Sequence, residues 1–544
     1  MTSINLKNFN TKNVEFMDSM FSQCTSLLSL DLSHFYTPNV VLFNDMFSYC
    51  SGLTTLDISN FDTSLSTSFL KMFQYCKKLK NLNLSKFKTS KVTNMAYMFQ
   101  YCIELTSLDL SSFDTSQVVV MTCMFEQCNS LEKVLLSFDT KNTRDLDSMF
   151  AYCHKLTSLD LSSFITSKVA DFSNMFDHCI SLKHLDISNF DTTEAVLLNT
   201  MFSFCSNLTS LDLSKWNVEK VTNMYGLFQG CFSLQKLDIS NFVTKSVVNM
   251  GNMFYGISSI TSLDISKFET SNVNNMAGMF GEIPLKTIDI SHFDLSKVTS
   301  MAFMFVNSNI TYLKLSNINT KSLTTTNDMF QMCKYLTSVD ISGLNTANVV
   351  NMAGMFRSCI SLKRLDLSGF NTDKVFSMQN MFNGCENIEE INLSSFSTSA
   401  MTDMGYMFSG CKKLTSLDLS RFNTKKVTDM EYLFNECNSL EHLDISTFDT
   451  SSTFYMYYSF AKCYSLTELD LSHFDTKNTV NMGNMFNSCT NLAKLDISSF
   501  ETENCNHFEN MFLNCEGLNV VVDEKKCANL IETIPTYINI TYKK

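Results

Sequence analysis

Apolar and polar positions along the 544-residue chain repeat with a step of 26 residues, occasionally 25. The dipeptide Met-Phe sets the register, at Met20-Phe21, Met46-Phe47, Met72-Phe73 and onward to Met511-Phe512. Superposing the copies gives M-F-x-x-C-x-x-L-x-x-L-D-L-S-x-F-x-T-x-x-V-x-x-M-x-x, with Phe at the second position in every copy from Phe21 to Phe512. Leu108-Asp109-Leu110-Ser111 alternates apolar and polar with period two, which predicts a short strand with one buried face. Val92, Met95, Met98, Phe99 and Cys102 stand three, three, one and three apart, which predicts a helix of two to three turns with Thr89 or Ser90 as its cap. A strand that recurs once per turn in one direction pairs in parallel with its copies. The expected architecture is an α/β repeat: a solenoid of about twenty turns, with a parallel sheet on one face and short helices on the other.

No Pro, Gly or Ser-rich stretch and no charge run separates the copies, so residues 1–515 read as one continuous solenoid with an incomplete first repeat. After Cys515 the pattern dissolves into Leu518-Asn-Val-Val-Val, a polar Asp523-Glu-Lys-Lys stretch and Tyr537-Ile-Asn-Ile-Thr. Residues 516–544 are thus expected to form a cap of strand, short helix and closing strand. The start, Met1-Thr-Ser-Ile-Asn-Leu, falls inside a repeat and carries neither a basic n-region nor an apolar h-region. An unpaired edge is expected around Ile4 to Leu6.

The unit resembles a known family. Leu105-Thr-Ser-Leu-Asp-Leu-Ser-Ser-Phe-Asp-Thr-Ser and Leu414-Thr-Ser-Leu-Asp-Leu-Ser-Arg-Phe-Asn-Thr-Lys-Lys-Val-Thr-Asp-Met are similar to the repeat of the BspA-type leucine-rich-repeat surface proteins, in the branch of mycoplasma- and Firmicutes-like repeats of unknown function. The resemblance covers nearly the whole chain and implies a leucine-rich-repeat-like solenoid. It also implies a cell-surface or secreted location and a role in adhesion or recognition of extracellular macromolecules. The missing export signal keeps a cytoplasmic alternative open.

Composition sharpens this picture: three prolines and forty-seven phenylalanines belong to a repeat core rather than to a mixture of domains. Phe21, Phe47, Phe73 and their successors are expected to stack as core. Cys24, Cys50, Cys76 and later cysteines share one position, which is Ile at Ile257 and Ile283 and Ser at Ser308; a position that accepts isoleucine is a buried packing position rather than a ligand. Asp31, Asp57, Asp109, Asp160 and their counterparts form a solvent-facing column, filled neutrally by Asn5, Asn83 and Asn392. Carboxylates so close must be solvated or hydrogen-bonded, which predicts an Asp–Ser/Thr ladder rather than a cation site. No cofactor and no metal is expected.

Aromatics that the repeat does not demand are the candidate binding residues: Tyr49, Tyr75, Tyr101 and Tyr152, with Phe204, just before the Cys position, and Tyr406, Tyr432 and Tyr458, with Tyr455 read as one helical turn before Tyr458. The same rings also serve a purely structural reading, covering the apolar surface of the next repeat. Residues 257–329 are irregular, losing Cys three times and gaining Pro284 and Lys314, which marks a bend or a site. Phosphate-cradling glycine loops and hydrolase or zinc-protease motifs are absent from the sequence, so the chain does not read as an enzyme. A net charge of −13 argues against nucleic acid, and no apolar run reaches spanning length, so no membrane insertion is expected. The partner classes left are a protein or a glycan, engaged by a surface adhesion protein; an intracellular interaction scaffold and a spacer presenting another domain are the alternatives.

Overall fold

The computed structural model describes residues 2–316 and 318–543. It is a parallel β-solenoid with a 26-residue step, divided into two compact units, Met1–Asn272 and Val273–Lys544. In the first unit β1 (Ser107–Asp109) pairs with β2 (Lys133–Leu135), and β3 (Ser210–Asp212) with β4 (Lys236–Asp238). The second unit pairs β5 (Tyr312–Lys314) with β6 (Ser338–Asp340), and β7 (Arg364–Asp366) with β8 (Glu390–Asn392). Its last sheet joins β9 (Glu468–Asp470), β10 (Lys494–Asp496), β11 (Asn519–Val522) and β12 (Asn539–Tyr542), with α1 (Ala528–Ile531) between the last two strands. Every pairing is parallel and most are offset by one repeat, as in Leu108 opposite Val134.

The expected helix over 92–102 is not there; α1 is the one helix among the described residues. In its place the chain makes overlapping turns whose amides point alternately in two directions. Met98, Gln100 and Cys102 donate to carbonyls three residues earlier, at Met95, Tyr97 and Phe99. Met95, Tyr97, Phe99 and Tyr101 donate to Val120, Thr122, Met124 and Glu126 of the next repeat, at 2.8–3.0 Å. The segment is therefore a second inter-repeat ladder, accompanied by a parallel bridge that recurs from Phe16 to Asn249 and again from Asn275 to His507. What prevents a helix is two left-handed residues per repeat, four apart: φ is +59° at Tyr97 and +60° at Tyr101. A right-handed helix cannot pass through such residues. Apolar spacing of three, one and three arises here because the turn puts Met95, Met98, Phe99 and Cys102 inside, all 0% exposed.

Thr89 likewise caps no helix. Its hydroxyl donates to the Asp114 carbonyl at 2.9 Å, and one repeat earlier Thr63 Oγ1 accepts the Lys88 amide at 2.7 Å. This buried threonine clasps each repeat to the next: Thr140 Oγ1 donates to the Ile165 carbonyl and accepts the Ile165 amide, both at 2.8 Å. Val218 and Leu295 hold the equivalent positions in two repeats and lack the hydroxyl.

Phenylalanine rings fill the interior of each unit. Phe21, Phe47 and Phe73 stack at 5.7 Å between centroids, and Phe99 and Phe125 continue the column at 5.6 Å. Cysteine thiols lie beside them. Cys50 donates to the Phe21 carbonyl at 3.1 Å and Cys76 to the Phe47 carbonyl at 3.2 Å. The carbonyl that each thiol reaches belongs to the preceding repeat, so cysteine ties neighbours together as well as packing. Cys24, in the first repeat, is exposed. Burial pushes the Cys50 thiol up to about 12 and the Cys76 thiol well above its ordinary range, so these groups stay protonated and poorly nucleophilic.

Candidate ligand-binding surfaces

Both tyrosine stripes occupy the left-handed positions of the turn ladder. Tyr49, Tyr75, Tyr101 and Tyr152 hold the position before Cys, with φ of +59° to +61°; Tyr406, Tyr432 and Tyr458 hold the position before Met or its substitute, with φ of +55° to +59°. Other repeats place glycine there, including Gly226, Gly230, Gly354 and Gly410. An L-residue held left-handed costs roughly 1 kcal/mol more than glycine, a cost that a contact with the neighbouring repeat can offset.

The contact is stacking between repeats. Tyr49 and Tyr75 lie 4.4 Å apart with nearly parallel planes, at 6°, and Tyr75 and Tyr101 follow at 4.3 Å. Tyr152 is not part of that stack, because Gln127 stands between it and Tyr101; it stacks instead on His178 at 4.4 Å, which meets Phe204 at 4.7 Å. In the second unit Tyr406, Tyr432 and Tyr458 stack at 4.4 and 4.9 Å. Tyr455 does not join them: without a helix to bring it round, it sits on the bridge ladder with its ring tilted against Phe454. Tyr457 takes its place, edge-on to Tyr432 and Tyr458 at 5.5 and 4.5 Å. His178 holds the position before Cys179, directly between Tyr152 and Phe204 in their column, and a pattern of tyrosine and phenylalanine alone passes over it. Tyr457 matches no aromatic run, with Glu431 and Gly483 in the neighbouring repeats.

Charged groups border both stripes. Lys77 Nζ lies 5.4 Å from the Tyr75 centroid and Lys71 Nζ 5.6 Å from that of Tyr97. Burial, and then the neighbouring Tyr101, pushes the Tyr75 phenol up to about 12, so it remains a hydrogen-bond donor. Around Tyr406 and Tyr432 the neighbours are carboxylates. Asp403, Asp429 and Glu431 are all raised, chiefly by burial and, for Asp403 and Glu431, by the charge of Asp429. Rings packed 4.4 Å apart hide their faces in one another, so each stack offers outward edges and hydroxyls at one per repeat.

The strand face carries the Asp column. Asp31 Oδ1 accepts the Ser33 amide and hydroxyl at 3.0 and 2.7 Å, and Asp109 does the same with Ser111 at 3.0 and 2.6 Å; Asp57 and Asp160 accept the amides of Ser59 and Ser162. The serine bonds hold these exposed carboxyls below their ordinary range. Asn5, Asn83 and Asn392 accept the equivalent amide without charge. In the first unit this face bounds a groove of about 870 Å³ that reaches from Leu30 across Asp57, Asn83 and Asp109 to Lys133 and Leu135. Leu135 interrupts the Asp column and is 41% exposed, a break visible only once the column is aligned.

The chain matches the family described as "Mycoplasma protein of unknown function, DUF285" over 1–108, 43–164, 102–210, 145–262, 196–311, 224–339, 306–417 and 403–525. It belongs to that family. No curated protein matches the sequence. Among solved structures, a leucine-rich cell surface protein from Faecalibacterium prausnitzii is 15% identical, over 73% of this chain and 74% of that one, at a TM-score of 0.23. A leucine-rich repeat protein from Eubacterium ventriosum is 13% identical, over 66% and 84%, at 0.28. The functional domain of InlJ from Listeria monocytogenes, described as including a cysteine ladder, is 16% identical, over 92% and 75%, at 0.21. No helix among the described residues is long and apolar enough to cross a membrane.

Proposed function

We propose that the protein is a non-catalytic recognition solenoid acting at the cell surface, which binds a protein or glycan of its surroundings through the tyrosine stacks. The observation that carries this reading is the placement of tyrosine, in runs, at left-handed backbone positions that glycine fills elsewhere. The resemblance of the repeat to BspA-type surface proteins supports the location. Stacking offsets the backbone cost within a run, while the outward hydroxyls and edges give a partner a regular line of donors. Tyrosine supplies large contact area with few rotatable bonds, which suits an interface anchor.

An intracellular interaction scaffold is the second reading, favoured by one observation: all twenty cysteines are free thiols. The bonds that most of them make to phenylalanine carbonyls weaken that argument, since a buried, protonated thiol reacts slowly with oxidants.

The test is a binding screen of the folded chain against extracellular-matrix proteins, mucins and glycan arrays, beside the Tyr406→Ala/Tyr432→Ala/Tyr458→Ala variant. Saturable binding to at least one of these, weakened about tenfold or more in the variant, is expected for anchors of this kind. Binding of equal strength by the variant removes the second-unit stack from the reading, and no binding at all by a folded sample favours the scaffold.

A further inference from the structure

One exposed tyrosine differs from all those in the stripes. Tyr312 opens β5 on the strand face of the second unit and is 44% exposed. The residue one turn before it in the same column is Thr287, and the one paired with it in β6 is Ser338. Both are small, and Tyr312 stacks on no aromatic ring among the described residues, so its faces are not hidden as those of Tyr75 or Tyr432 are.

The same turn breaks the Asp column. Lys314 stands where neighbouring repeats have Asp289 and Asp340, and it pairs with Asp340 in the ladder. Thr287, Asp289, Ser291, Tyr312, Lys314 and Ser316 line a groove of about 400 Å³. Gly343 fixes the depth of the adjoining turn, since a Cβ there would lie 2.4 Å from the Leu315 carbonyl oxygen and 2.6 Å from that of Ser316. The result is an open aromatic face beside an ammonium, a carboxylate and the hydroxyls of Thr287, Ser291 and Ser316, on a fixed backbone.

We infer that Tyr312, Lys314 and Asp289 form a binding subsite for a neutral pyranose unit of a glycan. The apolar C–H face of a pyranose needs an uncovered aromatic face, which Tyr312 supplies and the stacked tyrosines do not. Its hydroxyls both donate and accept. Asp289 accepts from one, and Lys314 donates to its neighbour, a charge-assisted pair that suits vicinal hydroxyls. The column as a whole disfavours an anionic sugar, because carboxylates flank Lys314 along it. A groove of this volume at the lower end of small-molecule sites suits one or two sugar rings. The subsite names a ligand class within the recognition reading but rests on other residues than the stripes, so the two fail separately.

Ligand-observed saturation-transfer NMR on the full chain, with methyl β-galactopyranoside, methyl β-glucopyranoside and methyl α-mannopyranoside as probes, tests it. At least one glycoside is expected to bind saturably, with its C–H protons saturated most strongly. Tyr312→Ala is expected to weaken that binding by about tenfold or more, and Tyr312→Phe by no more than about threefold. Tyr335→Ala, which removes another exposed tyrosine, leaves it unchanged. Absence of saturable binding by all three probes overturns the inference. So does binding that survives Tyr312→Ala, or that falls equally in Tyr335→Ala.

Discussion

Replacing Phe99 by alanine is expected to lower unfolding stability by about 3–5 kcal/mol, the cost of a large cavity in a packed core. Phe99 is 0% exposed and lies between Phe73 and Phe125, with centroids 5.6 Å away on both sides and planes within 7°. Truncation empties one level of the column and removes two stacking contacts at once. In a solenoid each repeat contacts only its neighbours, so the loss is not shared across the chain and a local transition separates from the rest. Phe303 supplies the contrast: it is also a phenylalanine, but it is 41% exposed at a left-handed position, and its alanine variant is expected to change stability by less than about 1 kcal/mol. Urea denaturation followed by circular dichroism measures both. A Phe99→Ala effect no larger than that of Phe303→Ala would contradict the stacked core.

Thr140→Val is the second large effect. The substitution keeps the shape of the side chain and deletes its hydroxyl, leaving the Ile165 amide and carbonyl without their 2.8 Å partner in a position that is 0% exposed. Ile165 itself is 46% exposed and both bonds are part-buried, so water recovers some of the roughly 1–3 kcal/mol that an unsatisfied buried group costs, and a loss of about 1–3 kcal/mol is expected, with Thr140→Ser restoring most of it. Val218 and Leu295 show that single repeats tolerate an apolar residue there within a longer stack. A Thr140→Val variant as stable as the parent in the same denaturation experiment would remove the clasp as a source of cohesion.

The threonine and the helix illustrate where the sequence is legible and where it misleads. Strand, register and parallel pairing follow from a 26-residue step and the alternation around Leu108, because a period of two has one structural meaning. Apolar spacing of three, one and three has two: a helix face, or a turn ladder that folds Met95, Met98, Phe99 and Cys102 inward. The discriminating signal lies in neither the apolar residues nor the tyrosines. It lies in the positions before Met and before Cys, where glycine and asparagine recur, at Gly226, Gly278, Gly354, Asn174, Asn252 and Asn484 for one and Gly230, Gly384, Gly410 and Asn514 for the other. These are the residues that accept a left-handed backbone most readily. Thr89 and its counterparts read as caps only because a helix was expected to follow them.

Candidate binding residues were legible in part. Tyr406, Tyr432 and Tyr458 meet because identical positions in consecutive repeats lie one ladder step apart. Tyr455 does not meet them, since its place in the run depended on a helical turn. Tyr312 was hidden for the opposite reason: it belongs to no run, and what sets it apart is the small size of Thr287 and Ser338 on either side.

The turn ladder is the feature on which both stripes depend, and a single glycine tests it by the sign of its effect. Ser358 is left-handed, at φ +59°, between Met332 and Gly384 in its column. In a helix Ser358→Gly would cost about 0.5–1 kcal/mol; at a left-handed turn it relieves strain and is expected to raise stability by up to about 1 kcal/mol. The measurement is the urea midpoint of Ser358→Gly against the parent chain. An upward shift is the expected result, and a downward shift of helical size would contradict the left-handed ladder.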